Sequence, residues 1–317
     1  MPTHSWTYDA PSGVYKNHAL SADIRMAAIA QTKFVQFTGP VDGYGKKKGE
    51  SVTITRVSNI DEPTDDALIE LDRIPEDEMA LSTQAVEVEE RGRAIPYSSL
   101  SVDLAHFDLA NAIQRNLRKQ LRLRMDKVAS DAFKVGQVKA IPDGAASLTF
   151  DTDGTASTQA TVNLNQYHVE QIRDYMFSTL HIEPFSGDDE YMCLASTKAL
   201  RGLKRDPNWE KWKVYTSPEA KMMGEVGKIE NVRFVEINNT NALSASKGLN
   251  GVLGEAVFFG ADPVVMATVI DPELRAKESE DYGRSKGVAW YGIYGFDQVW
   301  KDSANAGEAR VIHLTSS

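Results

Sequence analysis

Cysteine is almost missing from this chain: Cys193 is the only one in 317 residues. A lone thiol excludes an intrachain disulfide framework and a metal cluster built from cysteines, and within EYMCLAS (residues 190–196) it reads as a small buried residue of a strand. No run of eighteen apolar residues occurs, and the opening MPTHSWTYDAPSG lacks a basic segment followed by an apolar one, so neither a spanning helix nor a secretory leader is expected. The histidines at 4, 18, 106, 168, 181 and 313 form no HxH, HExxH or HxxxH pair. His106 and His168 fall on expected helices and read as surface or core-edge residues rather than ligands. GKS/T and GxSxG motifs are missing too, and the glycines of GLNGVLG (248–254) are spaced by three, which is a flexible or tightly turning loop and not a dinucleotide fingerprint. No metal and no cofactor is expected.

Positive charge is outweighed: 35 Lys and Arg face 45 Asp and Glu, for a net −10. The imbalance is local. Residues 59–79 hold one base, Arg73, against nine acids (Asp61, Glu62, Asp65, Asp66, Glu70, Asp72, Glu76, Asp77 and Glu78), which is −8 and leaves only −2 for the rest of the chain. With 42% hydrophobic and 25% charged residues the remainder is an ordinary globular protein of one large or two modest domains. The acidic stretch separates two alternating, β-branched runs, SVTITRV (51–57) and ALSTQAVEVEERGRAIPY (80–97), each a strand pattern. Carrying Pro63 and Pro75 as well, it is too long for a tight turn and too polar to bury in its own core. It is expected to be an extended arm that lies on another subunit.

Residues 1–19 are polar and turn-rich and read as an arm, followed by a short helix over 24–32. The strongest helical signal runs from 101 to 134 without proline or glycine, with Leu109, Ile113, Leu117, Leu121, Met125, Val128 and Ala132 at three- or four-residue spacing. Arg115, Arg118, Lys119 and Arg122 project from its other side, and residues 114–127 hold six bases and one acid, Asp126. This face is a solvated surface, a dock for acidic protein, or a contact for nucleic acid phosphates. A turn-rich β meander follows, with Asp143-Gly144 and Asp153-Gly154 as hairpin signals. Beyond it, a helix over 165–181, the strand YMCLAS, the helix TKALRGLKRD and the aromatic and basic NWEKWKVY alternate as an α/β unit. Strands are expected at 231–237, 256–259 and 264–270, and GVAWYGIYGFDQVW and EARVIHL read as two closing strands around a turn at 302–307. Trp290, Tyr291, Tyr294 and Trp300 alternate with glycines and read as core rather than as a stacking platform.

One enzymatic reading competes. SLTFDTDGT (147–155) matches the nucleophile motif of haloacid-dehalogenase-type phosphohydrolases, with Asp151 as nucleophile, Asp153 handling the leaving-group proton and Mg²⁺ as the counter-charge. That chemistry needs a buried parallel strand in front of it, and a simple turn at Asp153-Gly154 explains the same residues.

The order of elements, together with GKKKGESVTITRV, VEERGRAIPYSSLSVDL, VFFGADPVV and RSKGVAWYGIYGFDQVW, resembles the major capsid proteins of tailed bacteriophages, the Hong Kong phage capsid fold. The resemblance implies an α+β protein divided into an N-terminal arm and short helix (1–45), an E-loop hairpin (46–98), a P-domain with a spine helix (99–164), an α/β A-domain (165–268) and a return to the P-domain (269–317). It implies a structural, non-enzymatic subunit that assembles as hexamers and pentamers into an icosahedral head in the host cytoplasm, with double-stranded DNA contacted non-specifically and with portal and decoration proteins as partners. Only 50 residues precede the first arm strand, so a separate scaffolding protein is expected. The arm has no lysine at its tip, which gives no support for covalent crosslinking there; Lys46, Lys47 and Lys48 lie at its base. The expected intersubunit contact pairs Asp61, Glu62, Asp65, Asp66, Glu70 and Asp72 with Arg115, Arg118, Lys119 and Arg122 of a neighbour. The alternatives are the Mg-dependent phosphohydrolase and a DNA-binding packaging accessory protein.

Overall fold

The computed structural model describes residues 30, 32–41, 45–47, 49–60, 67, 73–74, 76–105, 107–185, 189–206, 225–278 and 280–317. The helix expected over 24–32 lies outside them apart from Ala30 and Thr32, as do residues 208–215 and His106. In chain order the strands are β1 (Thr38–Pro40), β2 (Ser51–Val57), β3 (Leu81–Glu87), β4 (Glu89–Ser98), β5 (Lys139–Gly144), β6 (Ser147–Asp151), β7 (Tyr191–Ser196), β8 (Glu225–Ile229), β9 (Val232–Ile237), β10 (Ala256–Phe259), β11 (Val264–Ala276), β12 (Ser285–Asp297) and β13 (Val311–Leu314). The α-helices are α1 (Ser99–Leu104), α2 (Leu109–Lys134), α3 (Gln166–Asp174) and α4 (Thr197–Lys204). None is long and apolar enough to cross a membrane, among the described residues.

The larger sheet has seven strands in the order β6-β5-β13-β10-β7-β9-β8. Its central strands are apolar without alternation because both faces are covered. Cys193, Ala195, Phe234, Phe258, Ile312 and Leu314 pack on one face against α3 and α4, whereas Met192, Leu194, Val235, Val257, Phe259 and Val311 pack on the other against Phe34, Ala129, Ala132 and Phe133. A smaller sheet, β1-β11-β12-β4, receives the first half of α2: Ile113 and Leu117 bury against Val288 and Trp290. The long helix therefore ties the two sheets together, its first half on one and its second half on the other.

Several expectations are corrected. The uninterrupted helix over 101–134 is two helices, because Asp108 accepts a hydrogen bond from the Asn111 N–H at 3.0 Å and starts α2 afresh, while Ser98 caps α1 through the Ser101 N–H at 3.1 Å. The predicted strand 80–97 is two strands that change partners at Val88: β3 pairs with β2 and β4 with β12. At that crossing a Cβ on Gly295 would come within 1.9 Å of the Glu87 carbonyl oxygen, so the close approach needs glycine. The Asp143-Gly144 hairpin forms, but no strand follows Asp153-Gly154, so the meander stops at one hairpin. The closing strands do not pair: β12 belongs to the smaller sheet, and β13 is inserted between β5 and β10 of the larger one. Strands β5, β6 and β13 all lie in the larger sheet. His168, expected at the surface or the core edge, is fully buried; its ring lies 2.8 Å from the Gly144 carbonyl oxygen, and it completes the capping box of α3 with Asn165. The loop at 248–254 turns tightly, with left-handed backbone at Gly248, Asn250 and Gly251.

The inserted strand β13 brings a buried ionic cluster. His313 lies 3.5 Å from Glu255, whose carboxylate also accepts the Ser244 N–H at 2.6 Å. Lys134 stands 4.0 Å and Lys247 3.8 Å from that carboxylate, and Lys139 donates to the Lys134 carbonyl oxygen at 2.6 Å. Burial pushes the His313 imidazole down to about 4 and the Lys139 ammonium down to about 8. Burial alone would raise Glu255, but the His313 imidazole, the Ser244 N–H and the Lys134 charge outweigh it and hold the carboxyl at about 2.

Candidate assembly surface

Helix α2 places the basic residues as its periodicity requires. Residues three and four apart share a face, and Arg115, Arg118 and Arg122 are exposed opposite the buried Ile113 and Leu117, with Lys119 half-buried at the edge. Among the described residues Arg115, Arg118 and Arg122 make no ion pair. The neighbouring charges behave differently. Lys127 pairs with Asp131 one turn along the helix. Asp126, counted from sequence as part of the charged face, is fully buried and turns inward. It accepts the Phe34 N–H at 2.8 Å and faces the Asn239 amide at 3.4 Å. Burial raises its pKa, while the N–H groups of Phe34, Lys33 and Val35 pull the other way. The outward face of this stretch is therefore more uniformly basic than its sequence.

The arm is a two-stranded sheet, β2 against β3, with Val52, Ile54 and Arg56 on its inner side. Arg56 anchors it: Nη1 donates to the Val299 carbonyl oxygen at 2.8 Å, Nη2 to Asp302 at 2.7 Å and Nε to Ser82 at 2.8 Å. The guanidinium also stacks 5.0 Å from the centre of the Trp300 ring. Past this anchor the arm shows a feature that acid counting missed. Val57 and Leu81 face each other across the strands and are 50% and 60% exposed, and Ile60, Ile74 and Met79 are exposed too. The signal was present in the sequence as large apolar residues spaced among the acids. Arg73, the one base of residues 59–79, pairs with Glu76. Asp61, Glu62, Asp65, Asp66, Glu70 and Asp72 lie outside the described residues.

Asp151 and Asp153 have structural partners. Asp151 accepts the Ser157 N–H at 2.6 Å and hydroxyl at 3.0 Å, and Asp153 accepts the Thr155 N–H at 2.9 Å and hydroxyl at 2.8 Å. Strand β6 is the sheet's edge and antiparallel to β5, not the buried parallel strand that the phosphohydrolase chemistry needs. Among the described residues no group of three or more His, Cys, Asp or Glu side chains is placed to hold a metal ion.

No family model matches the chain, and no curated protein matches it. Solved structures do. The capsid of Ralstonia phage GP4 is 16% identical, with 99% of each chain covered and a TM-score of 0.67. The cyanophage Pam1 capsid is 14% identical, covering 98% of this chain and 99% of the other, with a TM-score of 0.69. The head of Helicobacter pylori bacteriophage KHP40 is 14% identical over 95% of both chains, with a TM-score of 0.67. Sheets, bridging helix and arm together make this chain a Hong Kong phage capsid fold, the fold of those phage shells.

Proposed function

We propose that the protein is the major capsid subunit of a tailed phage, assembling as hexamers and pentamers into a closed head around double-stranded DNA. The observation that carries this reading is end-to-end likeness: the match to capsid structures takes in the arm, both sheets and the bridging helix, and it leaves no sizeable part of either chain unaccounted for. Such a subunit works through surfaces repeated over a shell. Scaffolding, portal and decoration proteins are its further partners, and the DNA inside is held without sequence preference.

Within that shell the acidic arm of one subunit lies over the Arg115, Arg118, Lys119 and Arg122 face of its neighbour. Charge of opposite sign steers the encounter and fixes register more than it adds affinity. Each exposed pair is worth under about 1 kcal/mol, so the contact is reversible and weakened by salt until many copies combine. The double substitution Arg118→Glu and Arg122→Glu should impair particle formation in sedimentation, and Asp65→Lys with Asp66→Lys should restore part of it. Unchanged particle yield in the first variant would contradict the pairing.

A further inference from the structure

Between β12 and β13 the chain crosses from the smaller sheet to the larger one, and residues 297–302 of that crossing hold two other parts of the molecule at once. On one side they seat the arm: the Val299 carbonyl oxygen and the Asp302 carboxylate accept from the Arg56 guanidinium, which lies over the Trp300 ring. On the other side they close the end of α2. Gln298 is buried, and its side-chain amide donates to the carbonyl oxygens of Ala132 at 2.8 Å and Phe133 at 3.0 Å. The last carbonyls of a helix lack a partner four residues on, and this one glutamine serves two of them. The fit is close, since a Cβ on Gly136 would come within 2.9 Å of the Gln298 side-chain oxygen.

The two grips sit on adjacent residues. Across a planar peptide the Cα atoms of Gln298 and Val299 are fixed about 3.8 Å apart. The segment is braced as well: Asp297 accepts the Gln298 N–H at 2.9 Å and the Lys301 ammonium at 2.5 Å, and the Ser303 N–H donates to the Trp300 carbonyl oxygen at 3.2 Å. A turn tied in this way shifts as a body rather than residue by residue. We infer that residues 297–302 are a coupling clamp, in which seating of the arm and closure of the last turn of α2 are one equilibrium, so that lifting the arm loosens the helix end and fraying of the helix end loosens the arm. Because Ala129, Ala132 and Phe133 pack on the larger sheet, the position of the arm is felt in that core. The coupling belongs to the folded subunit and does not depend on what the arm binds.

Two readouts on the full chain test it. Hydrogen exchange at residues 130–135 reports the helix end. Maleimide labelling of Val86→Cys reports the arm, because Val86 is fully buried on the arm's inner side, while the native thiol, Cys193, is buried with its pKa pushed well up and does not compete. Arg56→Ala should speed exchange at 130–135 about fivefold or more, and Gln298→Ala should speed labelling at position 86 by a similar factor, because coupling is reciprocal. Combined, the two substitutions should give less than the product of their separate effects, since either one already opens the shared clamp. Gln298→Met keeps the volume but has no donor, and it should act as Gln298→Ala does; unchanged labelling in it would contradict the clamp. Ile172→Ala, which cuts into the core under α3 on the opposite face of the larger sheet, should leave both readouts unchanged. If it raises them as much, the changes are global and the inference falls. It falls too if Arg56→Ala loosens only the arm while Gln298→Ala loosens only the helix end.

Discussion

Arg56 and Asp302, 246 residues apart in sequence, meet as a two-pronged ion pair that fastens the arm to the turn after β12. The arginine side chain is 11% exposed and the aspartate 52%, so the two ends of the pair are unequal. Arg56→Ala removes the fork, the stacking on Trp300 and the bond to the Val299 carbonyl, and should destabilise the subunit by about 1.5–3 kcal/mol in thermal or denaturant unfolding. Asp302→Asn acts on a half-exposed, solvent-screened carboxylate and should cost about 1 kcal/mol or less. Arg56→Lys should fall nearer the alanine variant, because an ammonium cannot make the planar fork.

Asp126 gives a second prediction. Its buried carboxylate receives backbone N–H groups at the start of the 3-10 turn Phe34–Phe37, which seats Phe34 in the core 5.4 Å from the Phe133 ring. Asp126→Ala leaves a buried N–H without an acceptor and should cost about 1–3 kcal/mol. Hydrogen exchange at residues 34–37 should accelerate first. Asp126→Asn keeps one acceptor oxygen and should be milder. Equal exchange in all three proteins would show that the contact does not hold the turn.

The cluster around β13 predicts an acid-sensitive subunit. His313 is held near 4 in the folded chain, below its ordinary 6.5, so the unfolded chain takes up the proton first. Stability should therefore fall as the pH drops from about 6.5 towards 4, by up to about 3 kcal/mol, and this slope should disappear in His313→Gln. Glu255, held at about 2 against an ordinary 4.5, adds a loss that begins below 4.5 and is complete once the pH has passed through 2. Denaturant unfolding at a series of pH values measures both windows.

How far the sequence reaches depends on whether a feature is local. Strand β7, helix α4 and strands β9, β10 and β12 stand within a few residues of where apolar runs and turn residues put them, because propensity and burial agree there. Pairing partners are not local. Nothing near VIHL says that it will be a central strand of the larger sheet rather than the partner of β12. The break at Val88 leaves a faint trace: inward positions are even in β3 (Ser82, Gln84, Val86) and odd in β4 (Arg91, Tyr97), so the alternation changes phase where the chain changes sheet. Strand β8 is short and partly polar, and it joins β9 through left-handed Glu230 and Asn231, a turn without glycine that the usual signals pass over. On the candidate surface the basic face was legible from periodicity, whereas Asp126 was misplaced because its partner, Phe34, lies 92 residues away.

The central claim is that this chain builds a shell, and electron microscopy of the purified protein tests it most directly. Across protein concentration and salt, and with its scaffold supplied, the account predicts closed icosahedral particles, with tubes or hexameric capsomers when assembly is incomplete. A protein that stays a monomer or a small oligomer of fixed size under all of these conditions would contradict it.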